Sequence, residues 1–293
     1  VSLSLDLLRS FLAVHRAGSI TAAADRLGLA QPTVTARVRA LERQLGRPLF
    51  DRMPRGVVPT AAADELARRI AEPLDALEAA LLDEPSAPYP TTVHLGGPPD
   101  VLCARALPVL ADLVADGLQL RVTFGMPEEV LPAAAAGRLD LAITGTRPRQ
   151  RGLVTSVLCD EEFVLVAAPV WAERTAAPVG PETLRPVPLV AYAEEAPLLR
   201  RYWRTVFGER LTRTPDLVVP DLRGVLSAVL AGAGASVLPT YLCADPLATG
   251  ALRSLMTPEL PPVNTLYLAG RPAALARRAV AAVHDRLRQG LTA

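Results

Sequence analysis

The sequence predicts an α/β protein with an N-terminal module dominated by α-helix, and three observations carry that expectation. Residues 5–46 hold three short helical patterns, each closed by a glycine (Gly18, Gly28, Gly46). Residues 61–84 form one longer helical pattern with a leucine seam. From about residue 91, strand and helix patterns alternate, as in a sheet covered by helices. At 293 residues the chain exceeds one ordinary core, so more than one domain is expected.

In the first helix Leu8, Phe11, Leu12 and His15 recur at i, i+3, i+4 and i+7. Ser19 is placed to cap the second, whose stripe is Ile20, Ala23, Ala24 and Leu27. The third starts near Pro32, a residue suited to a first helical turn, and its apolar face is Val34, Val38, Leu41 and Leu45. That leaves Pro32, Ala36, Arg39 and Arg43 on the opposite side, flanked by Thr33, Thr35 and Arg37. Short polar groups at an N-terminal end, followed by arginines along an exposed face, suit a helix entering a major groove. A solvated surface helix is the plain alternative. Pro48–Phe50 leads to a predicted hairpin over Asp51–Val58, where Arg52 and Arg55 are placed to reach a phosphate backbone or minor groove. Together, residues 1–60 read as a helix-turn-helix with a wing. Charge agrees: this segment carries nine arginines against four acids, whereas residues 61–293 carry 22 against 26.

Thr60 opens the long helix of residues 61–84. Leu66, Ile70, Leu74, Leu77 and Leu81 fall on one side, a seam suited to its own copy in a dimer. Pro73 within it predicts a kink or an unpaired carbonyl. Residues 85–90, with three prolines, read as a hinge linker.

The run LRSFLAVHRAGSITAAADRLGLAQPTVTARVRALERQLGRPLFDR resembles the DNA-binding region of LysR-type transcriptional regulators. The matching features are the G-S-x-T-x-A-A-x-x-L run, Q-P-x-V-[ST] at the third helix, L-E-x-x-L-G at its exit and L-F-x-R at the wing. The resemblance implies DNA contacts from Ser19, Thr21, Gln31, Pro32, Thr33, Thr35, Arg37, Arg39, Arg52 and Arg55. Ala30 replaces the family's usual serine before the glutamine, and Ala36 replaces a frequent arginine; both bear on base preference. PEEVLPAAAAGRLDLAITG and VLSAVLAGAGASVLPTYL resemble the same family's effector domain. That implies a two-lobed α/β domain of type-2 periplasmic-binding-protein fold over residues 91–293. Lobe I would comprise 91–162 and 266–293, lobe II 163–265, with the C-terminal helix at Pro272–Leu287. A small-molecule effector would sit between the lobes, near Gly97, Pro98, Pro99, Asp100, Thr144, Gly145, Thr146, Tyr192, Asp221 and Arg223. Gly97-Pro98-Pro99 stands where related chains offer hydroxyls.

The expected partners are double-stranded DNA at an inverted repeat, a small-molecule effector, a second copy in a homodimer or homotetramer, and RNA polymerase. No membrane partner is expected, since no long apolar run lacks charge. VSLSLDLLRS has no basic stretch followed by a long apolar one, so the expected location is cytoplasmic. Three scattered cysteines and three scattered histidines predict no metal site or disulfide framework, and no cofactor is expected. No G-x-S-x-G, H-E-x-x-H or phosphate loop occurs. Gly232-Ala-Gly234 follows a helix and precedes a strand, the reverse of dinucleotide-fingerprint order. The rival readings are a solute-binding protein, disfavoured by the basic module, and an α/β enzyme, which lacks a catalytic set.

Overall fold

The computed structural model describes residues 4–53, 56–81, 89 and 92–291. The N-terminal helices form as their periodicity requires: α1 Leu5–Ala17, α2 Ile20–Leu27 and α3 Gln31–Leu45. Gly18, Gly28 and Gly46 all close them in the left-handed conformation that glycine adopts without steric cost. Strands β1 Phe50–Met53 and β2 Gly56–Pro59 pair antiparallel, with Phe50 opposite Pro59. The long helix α4 runs Ala61–Leu81 and continues through Pro73, which lies on its exposed side.

Helix α4 packs differently from expectation. Ala63, Ala67 and Ala71, spaced by four, together with Leu74, bury against Phe11, Leu12, Leu41 and Leu49. Small side chains on that stripe let α4 approach the N-terminal helices closely. Leu74 is 5% exposed within its own chain, which removes it from a seam open to a second copy. At about 100° per residue, Leu66, Ile70 and Leu77 lie to one side of the alanine stripe. Leu66 and Ile70 are half-buried, and Leu77 is exposed. Residues 82–84 of the expected helix and nearly all of the 85–90 hinge fall outside the described residues, as does any side-chain statement for Leu81.

The packing divides the chain into two compact units along lines other than the expected domain boundaries. The first holds the residues up to Gly97, Leu110–Ser156 and Tyr267–Gly290, so the DNA-binding module and α4 pack with the first lobe. The tie is a buried charge network. Asp75 of α4 accepts from Arg16 of α1 at 2.8 and 2.9 Å and from Arg271 at 2.6 Å. In this unit Val93–Gly97 runs parallel to both Leu120–Phe124 and Leu141–Thr144, and the end of Val263–Gly270 returns antiparallel beside the latter. Leu141–Thr144 is buried throughout, as a strand covered on both faces must be. The expected single C-terminal helix is two, Pro272–Leu275 and Arg278–Leu291.

The second unit comprises Pro98–Val109, Val157–Leu266 and Leu291. Here the end of the long strand Val154–Ala167 pairs antiparallel with Ala235–Pro239, and Val190–Ala191 pairs parallel with Leu217–Val218. Phe163, Leu165, Leu189, Tyr202, Trp203 and Val237 share its main core. Gly234 has φ +153, and a Cβ there would lie 2.2 Å from the Pro188 carbonyl oxygen. The glycine run is therefore a close-packing device.

Candidate DNA-reading surface and ligand pocket

The surface that would meet DNA is built on α3. Val34, Val38 and Leu41 anchor its inner face, which leaves Gln31, Pro32, Thr33, Ala36, Arg39 and Arg43 exposed. Ala30 supplies no side-chain cap, and its carbonyl accepts from the Thr33 amide at 2.9 Å and the Val34 amide at 3.3 Å. Thr21 is exposed on α2.

Three of the expected contact residues have local duties. Ser19 caps α2, accepting from the Ala22 amide at 3.4 Å. The Thr35 hydroxyl donates to the Gln31 carbonyl at 3.0 Å, which spends its proton inside the helix and leaves only acceptor capacity. Arg37 is half-buried and reaches Ser10 at 3.5 Å and Asp6 at 3.4 Å. Its guanidinium braces α3 on α1 rather than extending the exposed face. Arg52 belongs to β1, and Arg55 lies outside the described residues.

Two supports of this surface depend on contacts between segments that no local pattern marks. Glu42 Oε1 accepts from the Leu49 amide at 2.8 Å and the Phe50 amide at 3.3 Å, fixing where the chain leaves α3 for the hairpin. This gives the Glu of the L-E-x-x-L-G run a physical role. The hairpin is in turn held by the Val57 amide donating to the Gly18 carbonyl at 3.1 Å. Gly56, with φ +113, permits that approach; a Cβ there would lie 2.7 Å from the Gly18 oxygen. His15 is buried and contacts Asp64 of α4 at 2.8 Å. Burial holds its imidazole below the usual range, against the opposing pull of Asp64.

The expected effector residues divide between the two units. In the first, Gly97 is buried where a Cβ would come within 3.0 Å of the Ile143 oxygen, so the glycine serves strand packing. Thr144 is fully buried, and its hydroxyl accepts from the Thr146 amide at 3.2 Å and donates to the Thr146 carbonyl. That hydroxyl closes the loop through Gly145 rather than presenting itself to a ligand.

In the second unit Pro98 and Pro99 begin the helix that carries Asp100. Asp100 is buried and accepts from the Tyr241 hydroxyl at 2.6 Å. Glu161, also buried, takes the Asn264 amide at 2.9 Å on one oxygen. Its other oxygen, Oε2, has no hydrogen-bond partner. Burial raises the pKa of both carboxyls, and burial together with the two carboxylates raises that of Tyr241. Arg105 stacks over the Tyr241 ring, 5.3 Å from its centroid. Asp221 caps the helix Leu222–Leu230 and pairs with Arg223, which donates to Cys103 Sγ at 2.8 Å. Tyr192 borders a cavity of about 10 Å³, room for about one water. Thus Asp100, Asp221 and Arg223 occupy one polar region with Arg105, Glu161 and Tyr241. The last three match no local motif, because the partners that bring them together lie far along the chain.

Among the described residues, no helix is long and apolar enough to cross a membrane. Nor does any group of three His, Cys, Asp or Glu among them have metal-holding geometry.

Comparison with known proteins agrees along the whole chain. Residues 5–64 match the family described as bacterial regulatory helix-turn-helix protein, lysR family, and residues 87–292 match the LysR substrate binding domain. The HTH-type transcriptional regulator AbaB of Streptomyces antibioticus is 50% identical, with 99% of each chain covered. The crystal structure of ArgP from Mycobacterium tuberculosis superposes with a TM-score of 0.80 at 24% identity, covering 99% of this chain and 98% of that one. Full-length LysG from Corynebacterium glutamicum, solved with bound effector Arg, gives 0.68 at 20% identity, covering 99% and 100%. The N-terminal helix-turn-helix, the α/β regulatory region and these matches place the chain in the LysR family: it is a DNA-binding transcriptional regulator and not an enzyme.

Proposed function

We propose that this regulator acts in the cytoplasm as a homodimer or homotetramer. Two copies of α3 would enter successive major grooves of an inverted-repeat site, about one helical turn apart. The observation that carries the reading is the exposed face of α3, where Gln31 and Thr33 precede Arg39 and Arg43 on a helix held rigid by its own core. Arg52 and Arg55 of the hairpin would add backbone contacts. A second copy would pair through the flank of α4 around the exposed Leu77, with Leu66 and Ile70, themselves partly covered by the N-terminal core, beside it. Contact with RNA polymerase belongs to the same reading, as the route by which bound regulator changes transcription.

A small molecule held by the C-terminal region would shift the populations of DNA-binding states. The arginine-bound LysG supports this at the level of the fold, and the polar region around Asp100, Arg223 and Tyr241 supplies donors and an acceptor for such a ligand. The proposed domain limits remain residues 1–60, 61–84, 85–90 and 91–293.

A gel-shift titration against the DNA flanking the gene tests the DNA-binding part. The expected result is saturable binding that weakens steeply with salt. Absence of any salt-sensitive binding to promoter fragments would refute it. Thermal-shift screening of the full chain against small metabolites tests the effector part. Stabilisation that is lost in Arg223→Gln is expected, and stabilisation indifferent to that change would move the site elsewhere.

A further inference from the structure

A cavity of about 300 Å³ lies within the first unit, where α1, α2 and α4 pack against the first regulatory strands. That volume suits a small metabolite. None of the expected effector residues borders it.

Among the described residues that line it, cations outnumber acids. Arg9, Arg16, Arg26 and Arg277 face it, against Asp75 and Asp140. Both carboxylates are already engaged. Asp75 is shared between Arg16 and Arg271. Asp140 takes Arg277 at 2.7 Å and the His94 backbone amide at 2.8 Å. Among the described residues, Arg16, Arg26, Arg271 and Arg277 gather around these two carboxylates. Arg26 meets the Nε2 atom of His94 rather than an acid. That contact requires a neutral imidazole with its lone pair toward the guanidinium. Burial and the nearby Arg26 charge hold His94 below its usual range, in keeping with that form. The Nε group of Arg16, a buried donor, has no hydrogen-bond partner. A buried donor without a partner, beside a surplus of cations, is the condition an anion relieves.

An adjoining cavity of about 890 Å³ shares Arg16, Arg26 and His94 as a wall. It adds Arg121 and Arg138 against Asp25 and Glu129. The three shared residues are therefore reachable from a larger open space.

We propose that the smaller cavity is a second ligand site, binding a small metabolite with two or more carboxylate or phosphate charges. Planar guanidinium forks suit either group. The walls come from the DNA-binding helices, α4 and the regulatory strands, so an anion there bridges the DNA-reading part to the first lobe. Ligand at such a junction changes operator affinity, and operator changes ligand affinity by the same factor. This inference does not rest on the effector reading above.

The test is isothermal titration of the full-length protein with citrate and, separately, with inorganic phosphate, at ionic strength held constant with chloride. Saturable binding of at least one probe is expected, weakened fivefold or more in Arg26→Gln and in Arg9→Gln. The exposed control Arg185→Gln should bind as wild type. Arg9 is exposed and its substitution leaves the core intact; if Arg26→Gln fails to fold, Arg9→Gln alone decides. No saturable binding by either probe, a smaller loss in a folded variant, or an equal loss in the control overturns the site. A bound probe that leaves the gel-shift affinity of the wild type unchanged refutes the coupling.

Discussion

Arg39 and Glu161 show how differently single side chains carry the behaviour of this regulator. Arg39 projects from the exposed face of α3, whereas Arg37 of the same helix is tied to Asp6. Replacing it with alanine should weaken operator binding and lower the salt-dependence slope by about one, with the fold intact. An unchanged slope in a gel-shift series would place the phosphate-facing surface elsewhere. Glu161 is buried with one oxygen lacking a partner. Because burial raises its native pKa, the folded state holds its proton to higher pH than the unfolded chain. Its favourable contribution is complete below the unfolded pKa and is lost as pH rises through the native value. Glu161→Gln should therefore raise the melting temperature at pH 7.5, by on the order of 2–4 °C, and flatten the decline from acid to neutral pH. An identical pH profile in both proteins would exclude Glu161 as the titrating group.

Among the elements, α4 has a packed face and an adjoining face where pairing is proposed. Ala63, Ala67, Ala71 and Leu74 hold it to the N-terminal helices, while Leu77 is exposed. The faces make separable predictions. Leu74→Asp puts a charge into a packed core and should unfold the N-terminal module, seen as a loss of several degrees in melting temperature and of operator binding. Leu77→Asp should leave the melt of the monomer intact and yield monomers by light scattering. Persisting dimers in Leu77→Asp would show that pairing uses another surface. The leucine repeat in the sequence reads as one seam because periodicity reports which residues share a side of a helix. It does not report which of two apolar partners covers them.

For the whole molecule, the Arg16–Asp75–Arg271 network ties α1, α4 and the regulatory region into one unit. Asp75 and Arg271 are each 4% exposed, so Asp75→Asn leaves two guanidiniums without their shared carboxylate. Removing one partner from such a buried group costs about 3–5 kcal/mol. Chemical denaturation should show that loss, and limited proteolysis should cut more readily between the DNA-binding module and the regulatory region. Unchanged stability would mean that the packing of α4 alone holds this unit together.

The three helices and their glycine stops, the hairpin, the long helix, the α/β alternation and family membership are all legible in the sequence. These rest on short-range rules: the 3.6-residue period, the left-handed tolerance of glycine and a contiguous motif of about fifty residues. The tertiary structure decided which polar residues act together. Arg16 and Asp75 are 59 residues apart, and Asp75 and Arg271 are 196 apart. Tyr241 meets Asp100 across 141 positions. No local pattern marks such pairs, because a charge is costly or useful only according to what is buried beside it. For the same reason Thr144 and Gly97, placed by sequence near a ligand, prove to serve their own loop and strand, while the arginine-rich cavity beside α1 left no trace in any one segment.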